Sequence, residues 1–274
     1  MELTGSVAGA VLPAGQGPGQ DRWIATDTSL VVLDGASAVE PGTPPADAYV
    51  DELSATLAAV LADGADTRHA LRASIAEVAD RLRLAADHSP SSTVLIAQFR
   101  GGVAEIAVLG DSTVVVGLRG RRIERLTDDR IARVAPDLRT KYRERLRAGH
   151  GFDDTHAALL GDIQRAERAA RNRPDGYWIA EADPTAAEHA VVRRYPVDEI
   201  EWCVLATDGA QRPYDHRGGD WSALPADAHQ LRHCLDQLHE WEAHCDPDGR
   251  LLPRSKRHDD KTLVVWRLPD AART

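Results

Sequence analysis

The stretch Thr93–Leu118, TVLIAQFRGGVAEIAVLGDSTVVVGL, is the clearest indication of the fold class. It contains three apolar runs of strand length, namely Thr93–Phe99, Val103–Leu109 and Thr113–Leu118. The short glycine-containing breaks Arg100-Gly101-Gly102 and Gly110-Asp111-Ser112 separate the runs, and breaks of this kind are typical of tight turns. The pattern predicts a β-meander of three consecutive antiparallel strands.

Segments on both sides extend this pattern. Further strand-like apolar runs occur at Ser29–Leu33, Ala190–Tyr195, Trp202–Ala206 and Thr262–Leu268. Helical periodicity predicts helices at Asp47–Ala62, Asp66–Asp87 and Asp227–His244, and two or more helices in the Arg- and Ala-rich stretch Asp129–Asn172. Because the strands come in groups and do not alternate singly with helices, we predict an α+β fold in which helices pack on the outside of antiparallel sheets.

The composition is that of a folded globular protein. Of the 274 residues, 43% are hydrophobic and 28% are charged, so a sizeable core can form. The net charge of −10 argues against nonspecific nucleic-acid binding. No apolar run reaches the roughly 18–20 residues of a membrane helix, and Met1–Gly5 lacks the basic start of a signal peptide. With an odd number of cysteines, three, we expect a cytoplasmic protein without a disulfide scaffold.

Aspartates stand where the apolar runs begin or end. Asp34, Asp111 and Asp208 each follow one of these runs, and Asp259 lies shortly before another. A single Asp-Gly after a strand is usually a turn, because Asp bonds locally and Gly accepts a positive φ. Four carboxylates on neighbouring strand ends would repel one another, however, and hard divalent cations with oxygen ligands relieve that repulsion. The set predicts a site for Mg²⁺ or Mn²⁺.

Two such ions would make the site capable of hydrolysis. A pair roughly 3.5–4 Å apart can share a carboxylate and activate a water for in-line attack on phosphorus. We therefore predict hydrolysis of phosphate esters. The sequence contains neither glycine-rich nucleotide motif, G-x-x-x-x-G-K-[ST] or G-x-G-x-x-G, so kinase or dinucleotide chemistry is not expected.

Seven short segments form a characteristic series along the chain. They are Gln20-Asp21, Asp34-Gly35, Ser92-Thr93, Gly110-Asp111-Ser112, Leu126-Thr127-Asp128-Asp129, Thr207-Asp208-Gly209 and Asp259-Asp260-Lys261-Thr262. In this order they resemble the signature motifs of the PPM-type metal-dependent serine/threonine phosphatases (type-2C phosphatases), in a bacterial-type member. The resemblance implies a four-layer α-β-β-α sandwich, formed by a single phosphatase-like domain over residues 1–274 with a helical insertion at about residues 129–172.

The same resemblance implies a dinuclear metal centre. Asp34 would bridge two Mn²⁺ or Mg²⁺ ions, and the carbonyl of Gly35 would bind one of them. Asp208 and Asp259 would complete the other ion. Catalysis would then depend on Asp34 and Asp208 through a metal-bound hydroxide.

Two further aspartates take part in this implied centre. Asp21 would hold metal-bound water. Asp111, together with Asp208, would match the site of a third ion that many members of the family bind.

The sequence departs from the family pattern at the groups that handle substrate. Gln16 stands where the family has its phosphate-gripping arginine, and Ala36 stands where it has the histidine often assigned as general acid. Arg22 could replace the arginine, as could the basic cluster Arg254, Lys256 and Arg257, because guanidinium groups suit phosphate oxygens. His258 could donate a proton to the leaving oxygen.

These departures leave alternatives for the function. The expected partner is a phosphorylated protein, with a small phosphorylated metabolite as a second possibility. A third reading is a phosphatase-like regulatory or binding module with little turnover. No nucleic-acid or membrane partner is expected.

Histidines and cysteines also cluster in the predicted helix Asp227–His244 and just after it. They are His229, His233, Cys234, His239, His244 and Cys245. The set contains neither a Cys-x-x-Cys nor a His-Glu-x-x-His pattern. We therefore predict a helix with a solvated face and no structural zinc at these residues.

Overall fold

Two antiparallel sheets of five strands each lie at the centre of the computed structural model, which describes residues 5–36, 43–86 and 88–268. The strands are β1 (Ser6–Leu12), β2 (Asp21–Ala25), β3 (Ser29–Ala36), β4 (Ser91–Arg100), β5 (Val103–Leu109), β6 (Thr113–Leu118), β7 (Arg122–Leu126), β8 (Val191–Pro196), β9 (Ile200–Ala206) and β10 (Lys261–Arg267). The helices are α1 (Ala46–Ala62), α2 (Thr67–Arg81), α3 (Pro136–Arg147), α4 (Asp154–Ala170), α5 (Asp208–His216) and α6 (Ala228–His244). The first sheet has the order β1-β10-β9-β6-β7, and the second has the order β2-β3-β4-β5-β8.

Strand residues alternate between two apolar layers. In β3, Val31 and Leu33 pack against α1 and α2, whereas Leu30 and Val32 pack between the two sheets. The first sheet alternates in the same way, with α5 and α6 on its outer face. Strands buried on both faces need continuous apolar sequences, which explains why these strands can be recognised in the sequence as apolar runs. The layer order is α-β-β-α, and the predicted fold class is confirmed.

The predicted β-meander is wrong at its second turn. β4 and β5 form the expected antiparallel pair, with Val94 opposite Leu109. β6, however, belongs to the other sheet, where Val115 lies opposite Val204 of β9. The chain crosses between the sheets at Gly110, which has a φ of +92°. The sequence could not distinguish a hairpin from a crossing, because strands buried on both faces look alike in either sheet.

The structure also shows strands that the sequence did not reveal. β1, β2 and β7 were not predicted, and each lies at an edge of its sheet. Edge strands lack a neighbour on one side and can carry small or polar residues, so they show no long apolar run. In β7, for example, most residues are at least partly exposed. The other predicted strands are found with their ends shifted by a few residues.

The predicted helices are found with some changes at their ends. The Arg- and Ala-rich stretch forms α3 and α4, which share a small apolar cluster of Tyr142, Leu146, Leu159 and Ile163. That these helices are an insertion in a single domain stays a prediction. α2 ends at Arg81, and its predicted end, Asp87, lies outside the described residues, as does most of Met1–Gly5. Within the described ranges, no helix has both the length and the apolarity to cross a bilayer.

The crossing at Gly110 predicts a measurable loss of stability in Gly110→Ala. A side chain here would adopt an unfavourable positive φ, and its Cβ would lie 2.8 Å from Cγ2 of Thr93. We expect the free energy of unfolding to fall by about 1–3 kcal/mol in urea titration. Gly161→Ala in α4 is the matched control, because its Cβ meets only the end of Arg165, at 3.6 Å. The control should gain about 0.5–1 kcal/mol; equal effects at both glycines would contradict this account of the crossing.

Candidate metal centre

Five aspartates lie together at one edge of the two sheets. Asp21 is the first residue of β2 and pairs in register with Asp34 of β3. Asp111 lies at the crossing between β5 and β6, Asp208 begins α5, and Asp259 lies two residues before the start of β10. Strand ends from both sheets meet at this edge, so the carboxylates converge although they are far apart in sequence.

The electrostatics of Asp34 show how close these carboxylates are. Burial raises the pKa of Asp34 well above its usual value of 3.8, and repulsion from neighbouring carboxylates raises it further. In order of decreasing effect, those neighbours are Asp21, Asp208, Asp259 and Asp111. Carboxylates repel one another appreciably only when they are close together in a poorly solvated site. The structure therefore brings together the five aspartates that the sequence assigned to metal binding.

Asp21 joins the two sheets at this edge. Its Oδ2 accepts hydrogen bonds from the hydroxyls of Thr207, at 2.9 Å, and Thr262, at 2.8 Å, and both threonines flank strands of the first sheet or lie in them. Its Oδ1 is buried and has no hydrogen-bond partner among the described residues. Burial raises the pKa of Asp21 to about 7, and repulsion from Asp260 and Asp259 contributes. A buried carboxylate oxygen without a donor is a natural ligand for a cation.

Asp111 and Asp208 share a neighbour that the sequence did not reveal, Arg212. Burial and repulsion from Asp208 raise the pKa of Asp111 to about 7, and the charge of Arg212 opposes this rise. Nη1 of Arg212 lies 3.8 Å from Oδ2 of Asp208, and Nη2 donates to the carbonyl of Pro253 at 2.9 Å. The signal was an i,i+4 spacing on a helix. It was missed because Thr207-Asp208-Gly209 marks the end of an apolar run and no helix is predicted there, whereas α5 begins at Asp208.

The backbone around Asp208 is closely packed. A Cβ on Gly209 would lie 2.0 Å from the carbonyl oxygen of Asp260, so only glycine allows α5 to approach this segment. The carboxylate of Asp260 accepts hydrogen bonds from the backbone N–H groups of Ala14, at 2.7 Å, and Gln20. It thereby holds the loop between β1 and β2, in which Gln16 is exposed. Asp260 supports the centre through this loop.

Of the cationic residues predicted to bind phosphate, Lys256 forms an ion pair with the carboxylate of one of the five aspartates. Its Nζ lies 2.8 Å from Oδ1 of Asp259. Although burial lowers the pKa of Lys256, the charges of Asp259, Asp34 and Asp208 raise it overall. Arg22 lies nearby but pairs with Asp51 of α1, at 2.5 Å. It also donates to the carbonyls of Gly19 and Asp21, so it braces the start of β2.

The other two basic residues of the predicted cluster point elsewhere. Arg254 is buried, and Nη1 lies 2.7 Å from Oδ2 of Asp246, while Nε and Nη2 donate to backbone carbonyls. Its guanidinium is therefore engaged in holding its own segment, which does not favour phosphate binding by Arg254. Arg257 stacks over the ring of Phe152, at 5.7 Å from its centroid. Arg254 and Arg257 thus contact other parts of the protein, although they lie close to Lys256 in the sequence.

His258 is oriented towards α6. Its Nδ1 lies 3.2 Å from Oε2 of Glu242, and its ring stacks on that of His239 with a centroid distance of 4.0 Å. Both contacts are to residues of α6, and neither of them is to Asp34 or Asp208. They do not favour the predicted role of His258 as proton donor to a leaving oxygen.

The donors at this edge fit a hard divalent cation. The five predicted ligand side chains are all carboxylates, and oxygen ligands are what Mg²⁺ and Mn²⁺ prefer. Gly35 follows Asp34 directly, and its N–H donates to the carbonyl of Gln20 at 3.0 Å. The unpartnered Oδ1 of Asp21 and the repulsion at Asp34 both indicate that positive charge is required here.

Comparison with known proteins agrees with this reading. The family model for protein phosphatase 2C matches residues 14–249. Because that match covers most of the chain, the protein belongs to the protein phosphatase 2C family, a class of phosphoric monoester hydrolases, and the resemblance found in the sequence is confirmed. Asp259 lies beyond the matched residues, so its place in the centre rests on geometry. A search of curated proteins found no match.

Solved bacterial phosphatases have the same fold. The serine/threonine phosphatase Stp1 from Staphylococcus aureus is 15% identical, with a TM-score of 0.54 and coverage of 98% of both chains. The phosphatase MsPP from Mycobacterium smegmatis, in complex with cacodylate, is 18% identical, with a TM-score of 0.51 and coverage of 97% of this chain and 100% of that one. The catalytic domain of PstP, in complex with two manganese ions, is 15% identical, with a TM-score of 0.52 and the same coverage. At these identities the likeness shows a common fold.

The raised pKa values predict how the stability of the metal-free protein depends on pH. In the folded protein Asp21 and Asp111 have a pKa of about 7, whereas the ordinary value is 3.8. The protonated carboxyls therefore favour the folded state at low pH, and this contribution to stability is lost as the pH rises through about 7. We expect the chelator-treated protein to melt at a lower temperature at about pH 8 than at about pH 5. Mn²⁺ should restore stability at the higher pH by binding only the folded state.

Asp21→Asn is the control for this dependence. It removes one of the titrating carboxyls, so the pH-dependent difference in melting temperature of the chelated protein should become smaller. If wild type and Asp21→Asn lost the same stability between the two pH values, the buried carboxyl would not be the cause.

Proposed function

We propose that this protein is a Mn²⁺- or Mg²⁺-dependent phosphatase that removes phosphate from serine or threonine residues of proteins. The observation that carries the proposal is the convergence of Asp21, Asp34, Asp111, Asp208 and Asp259 at one sheet edge. Membership of the protein phosphatase 2C family supports the reaction class.

The proposed metal ligands divide into two groups. Asp34, with the neighbouring Gly35 carbonyl, lies at the centre of the set, and burial raises the pKa of Asp259, with repulsion from Asp208 contributing. Asp21 and Asp111 form the second group, and of the four repulsions on Asp34 theirs are the strongest and the weakest respectively. When bound, divalent ions would supply Lewis-acid charge and an activated water for attack on phosphorus.

Arg212 and Lys256 are the proposed phosphate-binding groups. Both line one cleft with Asp208, Gly209 and Asp259. Arg212 lies on the Asp208 side of this cleft, and Lys256 lies on the Asp259 side. Positive groups on both sides of a carboxylate-metal site can hold phosphate oxygens, with Arg offering a planar pair of donors. They would replace the arginine that Gln16 does not provide.

Removing a ligand charge should abolish turnover. In Asp34→Asn and Asp208→Asn we expect kcat/KM for an aryl phosphate and for phosphopeptides, measured with Mn²⁺, to fall at least about 100-fold. Both changes are isosteric, and melting curves can check that the fold is kept. Asp236→Asn is the control, because Asp236 is a partly exposed acid of α6 paired with Arg232. Wild-type protein that binds Mn²⁺ in calorimetry without hydrolysing either substrate would indicate a binding module.

Arg212→Gln tests the phosphate-binding assignment. Loss of charge-assisted hydrogen bonds worth about 1.5–3 kcal/mol should lower kcat/KM about 10- to 150-fold, with Mn²⁺ affinity kept. Arg212→Lys should recover part of the loss, because it keeps the charge without the planar donor pair. The matched control is Arg232→Gln, since Arg232 also contacts an aspartate four residues away on its own helix, α6. Unchanged kinetics in Arg212→Gln would refute the assignment.

A further inference from the structure

Three side chains outside the aspartate centre form a second group of potential metal ligands. They are His239 and Glu242 of α6 and His258 of the segment before β10, and we call them the His-Glu cluster. Each offers one ligand atom, and these atoms lie within 4.8 Å of one another. His239 and Glu242 are three residues apart on a helix and therefore share a face. The third member is distant in sequence, so the tertiary structure creates the cluster.

The spacing within the cluster is close to what a bound ion needs. Ligands at 2.0–2.1 Å from a tetrahedral Zn²⁺ are about 3.3 Å apart. Nδ1 of His258 lies 3.2 Å from Oε2 of Glu242, which matches that separation. The rings of His239 and His258 stack with centroids 4.0 Å apart and an interplanar angle of 22°, so the third ligand lies beside the other two.

The surroundings leave one nitrogen available and hold one carboxylate in place. Nδ1 of His239 is buried and has no hydrogen-bond partner among the described residues, so nothing in this part of the chain satisfies it. Glu242 is only 2% exposed. Nζ of the fully buried Lys261 lies 2.8 Å from Oε2 of Glu242, which restricts the carboxylate to one orientation. Preorganised ligands of this kind lower the cost of binding an ion.

We propose that the His-Glu cluster is a binding site for Zn²⁺ or a similar transition-metal ion, separate from the aspartate centre. Two imidazoles and one carboxylate suit Zn²⁺, whereas Mg²⁺ and Mn²⁺ prefer oxygen ligands. Three protein ligands leave a fourth position for water or another donor. The two sites are neighbours, because Glu242 lines the same cleft as Asp208 and Asp259.

Lys261 sets the expected strength of binding. Its ammonium contacts Glu242 and also donates to the carbonyl of Asp259 at 3.0 Å, so a bound cation would share the carboxylate with an existing positive charge. Binding also releases any proton on the ligating nitrogens. We therefore expect weaker affinity than that of a four-cysteine structural zinc site, with dissociation on dialysis against a chelator.

The test measures Zn²⁺ binding by full-length protein in equilibrium dialysis, with excess Mg²⁺ present to occupy the aspartate centre. Wild type should bind one equivalent of Zn²⁺, and His239→Ala and His258→Ala should each lose it. His229→Ala is the matched control, because His229 is an exposed histidine of the same helix. Wild type that binds no Zn²⁺, or His239→Ala that keeps the full equivalent, would overturn the proposal.

Two further measurements separate this site from the aspartate centre and from misfolding. Asp208→Asn should keep the Zn²⁺ equivalent; if it lost Zn²⁺ while His239→Ala kept it, the ion would belong to the aspartates. Co²⁺ in place of Zn²⁺ should give the visible absorption of a nitrogen-ligated ion in wild type and in His229→Ala, and that absorption should be absent from His258→Ala with an unchanged circular dichroism spectrum. None of these readouts uses turnover, so they are independent of the proposed phosphatase activity.

Discussion

The contact of Asp21 with Thr207 and Thr262 is the interaction on which the arrangement of this edge depends. Asp21 begins an edge strand of the second sheet, whereas the two threonines belong to the ends of β9 and β10 in the first. Two hydroxyl donors on one carboxylate oxygen fix how the sheets meet. They also leave the other oxygen buried, with no donor in the part of the chain that the structure describes. The side chain of Asp21 therefore links the two sheets and also favours a cation next to its free oxygen.

The aspartate edge is unfavourable by itself, and the apolar layers are what keep it assembled. Five carboxylates with little solvent around them repel one another, and the raised pKa values of Asp21, Asp34 and Asp111 show the cost of ionising them together. The interior strands are buried on both faces, between helices on one side and the opposite sheet on the other. This packing fixes the strand ends, so the repulsion cannot be relieved by moving them apart.

Positive charge around the edge comes from places that the family pattern does not indicate. The loop between β1 and β2 carries Gln16 and is held in place by hydrogen bonds to Asp260. It contains no lysine or arginine that could add positive charge to the site. Arg212 and Lys256 instead approach from α5 and from the segment before β10. Neighbouring basic residues have different partners here, because Arg254 pairs with the buried Asp246 whereas Lys256 pairs with Asp259. Of these basic residues, Arg212 and Lys256 therefore lie beside the aspartates, because the backbone places them there.

Sequence alone determined the layers and the aspartates that stand at the ends of the strands. Strands covered on both faces must be continuous apolar runs, and an aspartate at the end of such a run is visible as a break in hydrophobicity. Tertiary structure alone decided which sheet β6 joins, where the edge strands β1, β2 and β7 lie, and that α5 begins at Asp208. It also decided that His258 meets Glu242 and not Asp34. Those outcomes depend on contacts between residues distant in the chain, and local periodicity carries no information about such partners.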